Sequence, residues 1–252
     1  MLLESLQEHA LEKAGGLRVH DVRIGLCYTA VELEDGNTGV AFTFRQEILP
    51  GCARSRGSLA GIPACDLLKC ITAHDLIDRT VGIAAANALL NRHDDHLLSG
   101  DVLDILEPGE DDVVGMVGYF GPLVPKLKKT VRELMIFEYN TGRAPGLYPA
   151  EAAADKLPGC TIAIITSTSL INQTMEKLLD AAGNCRRTAI VGATTPLTGE
   201  VFRPCGVDIV SGVIVTDPSA ILQIVSEGGG MRWFRGSVQK ASIRLDSVKG
   251  ET

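Results

Sequence analysis

The residues whose types and spacing can do chemistry lie mostly at the ends of apolar runs. Val113 opens one such run, and it closes on Val117-Gly118-Tyr119-Phe120-Gly121-Pro122. Gly115, Gly118 and Gly121 stand three apart, and glycines at the end of a strand let a ligand approach the backbone closely, although a structural tight turn needs them too. Glu138 ends a second run, with Asn140 just behind it. A carboxylate at that place in a Rossmann-like sheet accepts hydrogen bonds from ribose hydroxyls; the plainer use is an exposed strand end. Thr166-Ser167-Thr168-Ser169-Leu170-Ile171-Asn172 and Gly192-Ala193-Thr194-Thr195-Pro196 supply hydroxyls and an amide. Such groups cap a following helix, their commoner use, or donate to an anion.

Two further features come from the first part of the chain. Arg54 and Arg56 sit in a small-residue loop between Pro50 and Gly61, where planar guanidinium donors can meet a phosphate or carboxylate or simply stay solvated. Asn87 interrupts a helix that is otherwise apolar nearly all round. A buried amide must be paired, so Asn87 either braces a neighbouring backbone or points into a ligand cleft.

Metal ligation has weaker support. Cys70 and His74, four apart, share a helix face, and His93-Asp94-Asp95-His96 gathers four ligand types in one stretch. Adjacent helical residues point in different directions, so that cluster reads better as a solvated helix end, and no metal ligand is assigned. The seven cysteines include no C-x-x-C pair and fit reduced thiols.

The elements that must position these residues follow from periodicity. Leu2, Leu6, Ala10 and their neighbours predict an opening helix stopped at Gly15-Gly16, and residues 19–33 and 39–44 predict two β-rich runs joined as a hairpin. Asp75-Leu76-Ile77-Asp78 resembles an N-terminal cap before a helix over residues 79–91. The acidic stretch 99–112, with Pro108-Gly109, marks a boundary, giving domains over residues 1–105 and 106–252. Beyond it, strand-like runs at 113–119, 133–138, 161–166, 188–192 and 208–215 alternate with helical patterns. That alternation predicts an α/β unit with a mainly parallel sheet, helices on both faces, and the strand ends on one common rim. After Gly228-Gly229-Gly230 the chain turns aromatic and basic, which suits a lid, a dimer contact or a tail; the simplest version is a solvated tail with Trp233 buried.

Composition narrows the partners. With 24 basic and 31 acidic residues and a net charge of −7, the chain is expected to bind neither nucleic acid nor an anionic membrane, and small molecules are favoured. There is no long apolar segment and no signal-peptide pattern, so a cytoplasmic location is expected. The glycine spacing is not the G-x-G-x-x-G of ordinary NAD binding.

Four motifs, Val117-Gly118-Tyr119-Phe120-Gly121-Pro122-Leu123, Gly82-Ile83-Ala84-Ala85-Ala86-Asn87-Ala88, Thr168-Ser169-Leu170-Ile171-Asn172-Gln173-Thr174 and Gly192-Ala193-Thr194-Thr195-Pro196-Leu197, together resemble the heavy-metal chelatase family, most of whose members have no known function. The resemblance covers nearly the whole chain. It implies a small α+β domain similar to the enolase N-terminal fold, then a Rossmann-like domain, with a cleft between them. It also implies a role in metal chelation or in the metabolism of pterin-, flavin- or siderophore-like molecules. Enolase chemistry does not follow, because the barrel that carries it is absent.

The expected function is therefore a small-molecule-binding protein or enzyme with an interdomain cleft. Its ligand would be S-adenosylmethionine-like, nucleoside or pterin-like, and a metal ion would enter through a chelating ligand. Asn87, Gly118, Tyr119, Phe120, Gly121, Glu138, Asn140, Thr166, Asn172, Thr194, Arg54 and Arg56 are the candidate ligand contacts. The other reading is a non-catalytic metabolite or metal sensor or carrier, and a homo-oligomer is compatible with either.

Overall fold

The computed structural model describes residues 1–45 and 57–245. The chain opens with helix α1 (Leu2–Ala14), whose Leu2, Leu6, Ala10 and Ala14 form one buried stripe at fourfold spacing. An antiparallel sheet follows, β1 (Val19–Ile24), β2 (Tyr28–Leu33) and β3 (Thr38–Phe42), in the order β1-β2-β3. The run 19–33 is thus two strands rather than one, because Gly25-Leu26-Cys27 turns the chain and the Gly25 amide donates to the Tyr28 carbonyl.

Short helix α2 (Ala64–Leu68) leads to α3 (Leu76–Leu90), capped by Asp75, whose carboxylate accepts from the Ile77 and Asp78 amides at 2.9 Å. A cap of this kind is worth about 1 kcal/mol. Helix α3 lies tightly on β3: a β-carbon at Gly39 would fall 2.2 Å from the Ala84 carbonyl oxygen, so only glycine admits the helix there.

The second sheet has seven strands in the order β10-β9-β8-β7-β4-β5-β6. Strands β4 (Val113–Val117), β5 (Glu133–Glu138), β6 (Tyr148–Pro149), β7 (Ile162–Thr166), β8 (Arg187–Val191) and β9 (Ile209–Val215) are parallel, and β10 (Val238–Arg244) returns antiparallel to β9. Strand β10 corrects the reading of the basic end as a tail. Ala241 and Ser242 at its centre are buried, and it pairs with β9 over seven residues. Trp233 is 69% exposed, and Phe234 is the fully buried ring of that segment.

Alternation along the strands sorts the core onto two faces. Val114, Met116, Ile162 and Ile164 face helices α4 (Val102–Leu106) and α5 (Val124–Thr130), through Val102, Leu103, Leu106, Val124 and Leu127. Val113, Val117, Ala163 and Ile165 face the other way, joining a cluster that includes α6 (Met175–Ala181) and continues without a break into α1 and α3. This is the expected small α+β unit followed by a mainly parallel sheet with helices on both faces. Among the described residues no helix is long and apolar enough to cross a membrane.

Candidate functional site

Strand β4 has β5 on one side and β7 on the other, so successive crossovers leave it in opposite directions. At such a point two strand ends diverge and a crevice opens outside their carboxyl ends. Gly118 occupies the end of β4 with φ 89°, a conformation that side chains other than glycine rarely adopt, and an added β-carbon would stand 3.0 Å from Thr166 Cβ at the end of β7. The two strand ends are therefore in direct contact at the switch point.

Glu138 closes the third side. Its Oε2 accepts from the Tyr119 amide at 3.0 Å and its Oε1 from the Tyr139 amide at 2.8 Å, which turns the carboxylate back over the glycine turn. Arg143 reaches the same carboxylate, with Nη1 3.5 Å from Oε2, while its guanidinium lies 4.9 Å from the centre of the Tyr119 ring. At the end of β7 the hydroxyls of Thr166 and Thr168 are 2.9 Å apart, and Ser167 Oγ, fully buried, has no hydrogen-bond partner among the described residues. The rim thus combines a carboxylate, a guanidinium, two aromatic side chains at Tyr119 and Phe120, and a row of hydroxyls. Such a set can hold a polar small molecule by its hydroxyls.

Gly118, Tyr119, Phe120, Gly121, Glu138 and Thr166 are accordingly neighbours on this rim, and Asn140 folds the turn beyond Glu138 by accepting from the Gly142 amide at 3.1 Å. Asn172 is occupied locally: its Oδ1 accepts from the Thr174 hydroxyl at 2.8 Å. Arg54 and Arg56 lie outside the described residues.

Asn87 and Thr194 do meet, but inside the protein. Asn87 is fully buried, and its Nδ2 donates to the Val40 carbonyl at 2.9 Å and the Thr194 carbonyl at 3.1 Å. Thr194 Oγ1 in turn accepts from the Phe42 amide at 2.9 Å. Their geometry is that of a brace between the small sheet and the loop after β8. Two residues that no sequence motif singles out, Asn91 and Arg79, share this role. Asn91, one turn along α3, donates to the Thr195 and Val213 carbonyls and accepts from the Leu197 amide at 2.7 Å. Buried Arg79 donates to the carbonyls of Ile171, Ala73 and His74, and burial pushes its guanidinium below its usual value while Asp75 opposes the shift. An asparagine at the end of an apolar helix and an arginine in its first turn were the available signals.

Where the two halves meet, the described structure shows a recess of about 220 Å³ lined by residues of α1, Thr72 and the segment from Ser169 to Glu176. None of the rim residues lines it. Cys70 is buried and His74 exposed, His93, Asp94, Asp95 and His96 are all exposed, and among the described residues no three histidine, cysteine, aspartate or glutamate side chains gather around one point.

Comparison with known proteins places these features in a family. A crystal structure of a protein of unknown function from Pyrococcus horikoshii, assigned to the DUF364 family, is 25% identical and superposes with a TM-score of 0.86 over 97% of this chain and 100% of that one. A DUF364 protein of unknown function from Desulfitobacterium hafniense, 23% identical over 96% of this chain and 98% of its own, shares the fold with a TM-score of 0.81. An uncharacterised protein of Methanocaldococcus jannaschii is 25% identical over 265 residues, spanning 98% of this chain and 99% of the relative. The DUF4213 family model, described as "Putative heavy-metal chelation", matches residues 7–90. The DUF364 model carries the same description and matches residues 101–244, more than half the chain, so the chain belongs to the DUF364 family.

Proposed function

We propose that the protein binds a small molecule bearing a ribose-like diol, of the nucleoside or S-adenosylmethionine-like kind, on the rim between β4, β5 and β7. The observation that carries this reading is the half-buried Glu138 carboxylate, held by two backbone amides beside the positive-φ Gly118 turn at the topological switch point. Thr166 and Thr168 supply hydroxyls from the end of β7. The family description points to heavy-metal chelation, and the dispersal of ligating side chains among the described residues supports a metal carried by a chelating small molecule.

Titration calorimetry tests this with adenosine, S-adenosylmethionine and a reduced pterin, each with and without Zn²⁺ or Ni²⁺. At least one of them is expected to bind, and Glu138→Gln is expected to weaken it tenfold or more, since an amide no longer presents two charged acceptors to a diol. A ligand held equally well by wild type and Glu138→Gln would move the site off this rim. Turnover of whatever binds separates an enzyme from a sensor or carrier.

A further inference from the structure

Two residues beyond Glu138 the chain reads Asn140-Thr141-Gly142-Arg143, and the Asn140 side chain folds it into a tight turn over Thr141–Arg143. That turn brings Arg143 back onto the rim, with one flank of its guanidinium over the Tyr119 ring and Nη1 toward Glu138. The contacts on Glu138 are unequal. Both carboxylate oxygens already accept backbone amides at 3.0 and 2.8 Å, whereas the Arg143 contact is a long 3.5 Å. Arg143 is also 55% exposed against 14% for Glu138, and its Nε and Nη2 have no hydrogen-bond partner among the described residues.

A guanidinium so placed is anchored by the ring and free on its donor edge. It offsets the charge of Glu138, so an anion is not repelled from the place where Glu138 would hold a diol. Two free N–H groups in a plane suit phosphate oxygens, and their place beside Glu138 brings them within reach of a phosphate elsewhere on a sugar whose diol Glu138 holds. We propose that Arg143 is a specificity-determining residue that selects a ligand carrying a phosphate on its sugar over the unphosphorylated nucleoside. This rests on the rim reading given above and narrows its ligand class.

The test compares adenosine with adenosine 5′-monophosphate, which keeps the diol, by calorimetry at low ionic strength, using the full chain, Arg143→Gln and Arg143→Lys. Wild type is expected to hold the phosphate about tenfold more tightly than the nucleoside, the value of roughly one charge-assisted hydrogen bond. Arg143→Gln should bring that ratio to about one, and Arg143→Lys should retain part of it, because lysine keeps the charge and loses the fork. The exposed side chain lets both variants fold, which their melting temperatures verify. A wild-type ratio near one, or a preference that survives Arg143→Gln, overturns the assignment while leaving the rim reading intact if adenosine still depends on Glu138. If neither compound binds wild type, the rim reading fails and the role of Arg143 fails with it.

Discussion

At the level of single residues, Asn87 in α3 and Asn91, which caps the end of that helix, decide how the halves are joined. Asn87 and Asn91 lie one turn apart on the same helix face, and between them they satisfy the Val40, Thr194, Thr195 and Val213 carbonyls and the Leu197 amide. All five of those residues are buried, where an unpaired backbone group is costly. Asn91→Ala removes a partner from three of them and is expected to cost about 2–4 kcal/mol, measured as the shift in urea unfolding at constant slope. A loss below about 0.5 kcal/mol would mean that the backbone finds other partners and that the brace is dispensable. That Asn87 must be paired was legible in the sequence, since an amide amid alanines and leucines has to be satisfied. Its actual partners, 47 and 107 residues away, were not, because hydrogen-bond pairing at such separations leaves no local periodicity.

At the scale of elements, strands read well where they are buried on both faces and poorly where they are short or close an edge. The valine- and isoleucine-rich runs gave five parallel strands nearly at their observed bounds. Strand β10 escaped because three glycines precede it and its pattern Val-Gln-Lys-Ala-Ser-Ile-Arg is mostly polar, as an edge strand can be. At the end of the sheet opposite Gly118 and Glu138, Asp112 fastens the starts of three strands. Its carboxylate accepts from Arg186 at 2.9 and 2.5 Å, from the Thr161 hydroxyl at 2.7 Å and from the Gly109 amide at 2.7 Å. The hydrogen bonds from Arg186, foremost, hold this carboxyl well below the usual aspartate range even though burial opposes the shift. A group whose folded pKa is depressed stabilises the fold fully above its unfolded value, about pH 4, and that contribution is lost as pH falls. Stability measured from pH 5 down to pH 2 should therefore fall less steeply in Asp112→Asn than in wild type. Equal slopes would show that the staple contributes nothing.

At the scale of the whole molecule, one apolar cluster runs from Leu2 of α1 through Ala84 of α3 to Ile165 of β7 and Leu245 beyond β10. The small sheet is a second layer of the same core, fixed by the asparagine brace and by Arg79. Such a shared core is expected to unfold in a single transition, with calorimetric and van't Hoff enthalpies in agreement. Two resolved transitions would show that the halves are energetically separate. The same arrangement changes the part assigned to the first half: the described contacts make it a rigid support behind the loop after β8.

The sequence by itself determined the fold class, the parallel strands, the helix cap at Asp75 and the family, because each is written in local patterns of apolar spacing, turn residues and short motifs. It also placed Gly118 and Glu138 at strand ends, since those ends are where apolar runs stop. Only the tertiary structure decided that β4 is the switch point, that Glu138 folds back onto Tyr119 with Arg143 beside it, and that Asn87 serves the interface. Strand order and cross-chain pairing are set by how layers pack to bury their apolar faces, and that is a property of the assembled molecule rather than of any one segment.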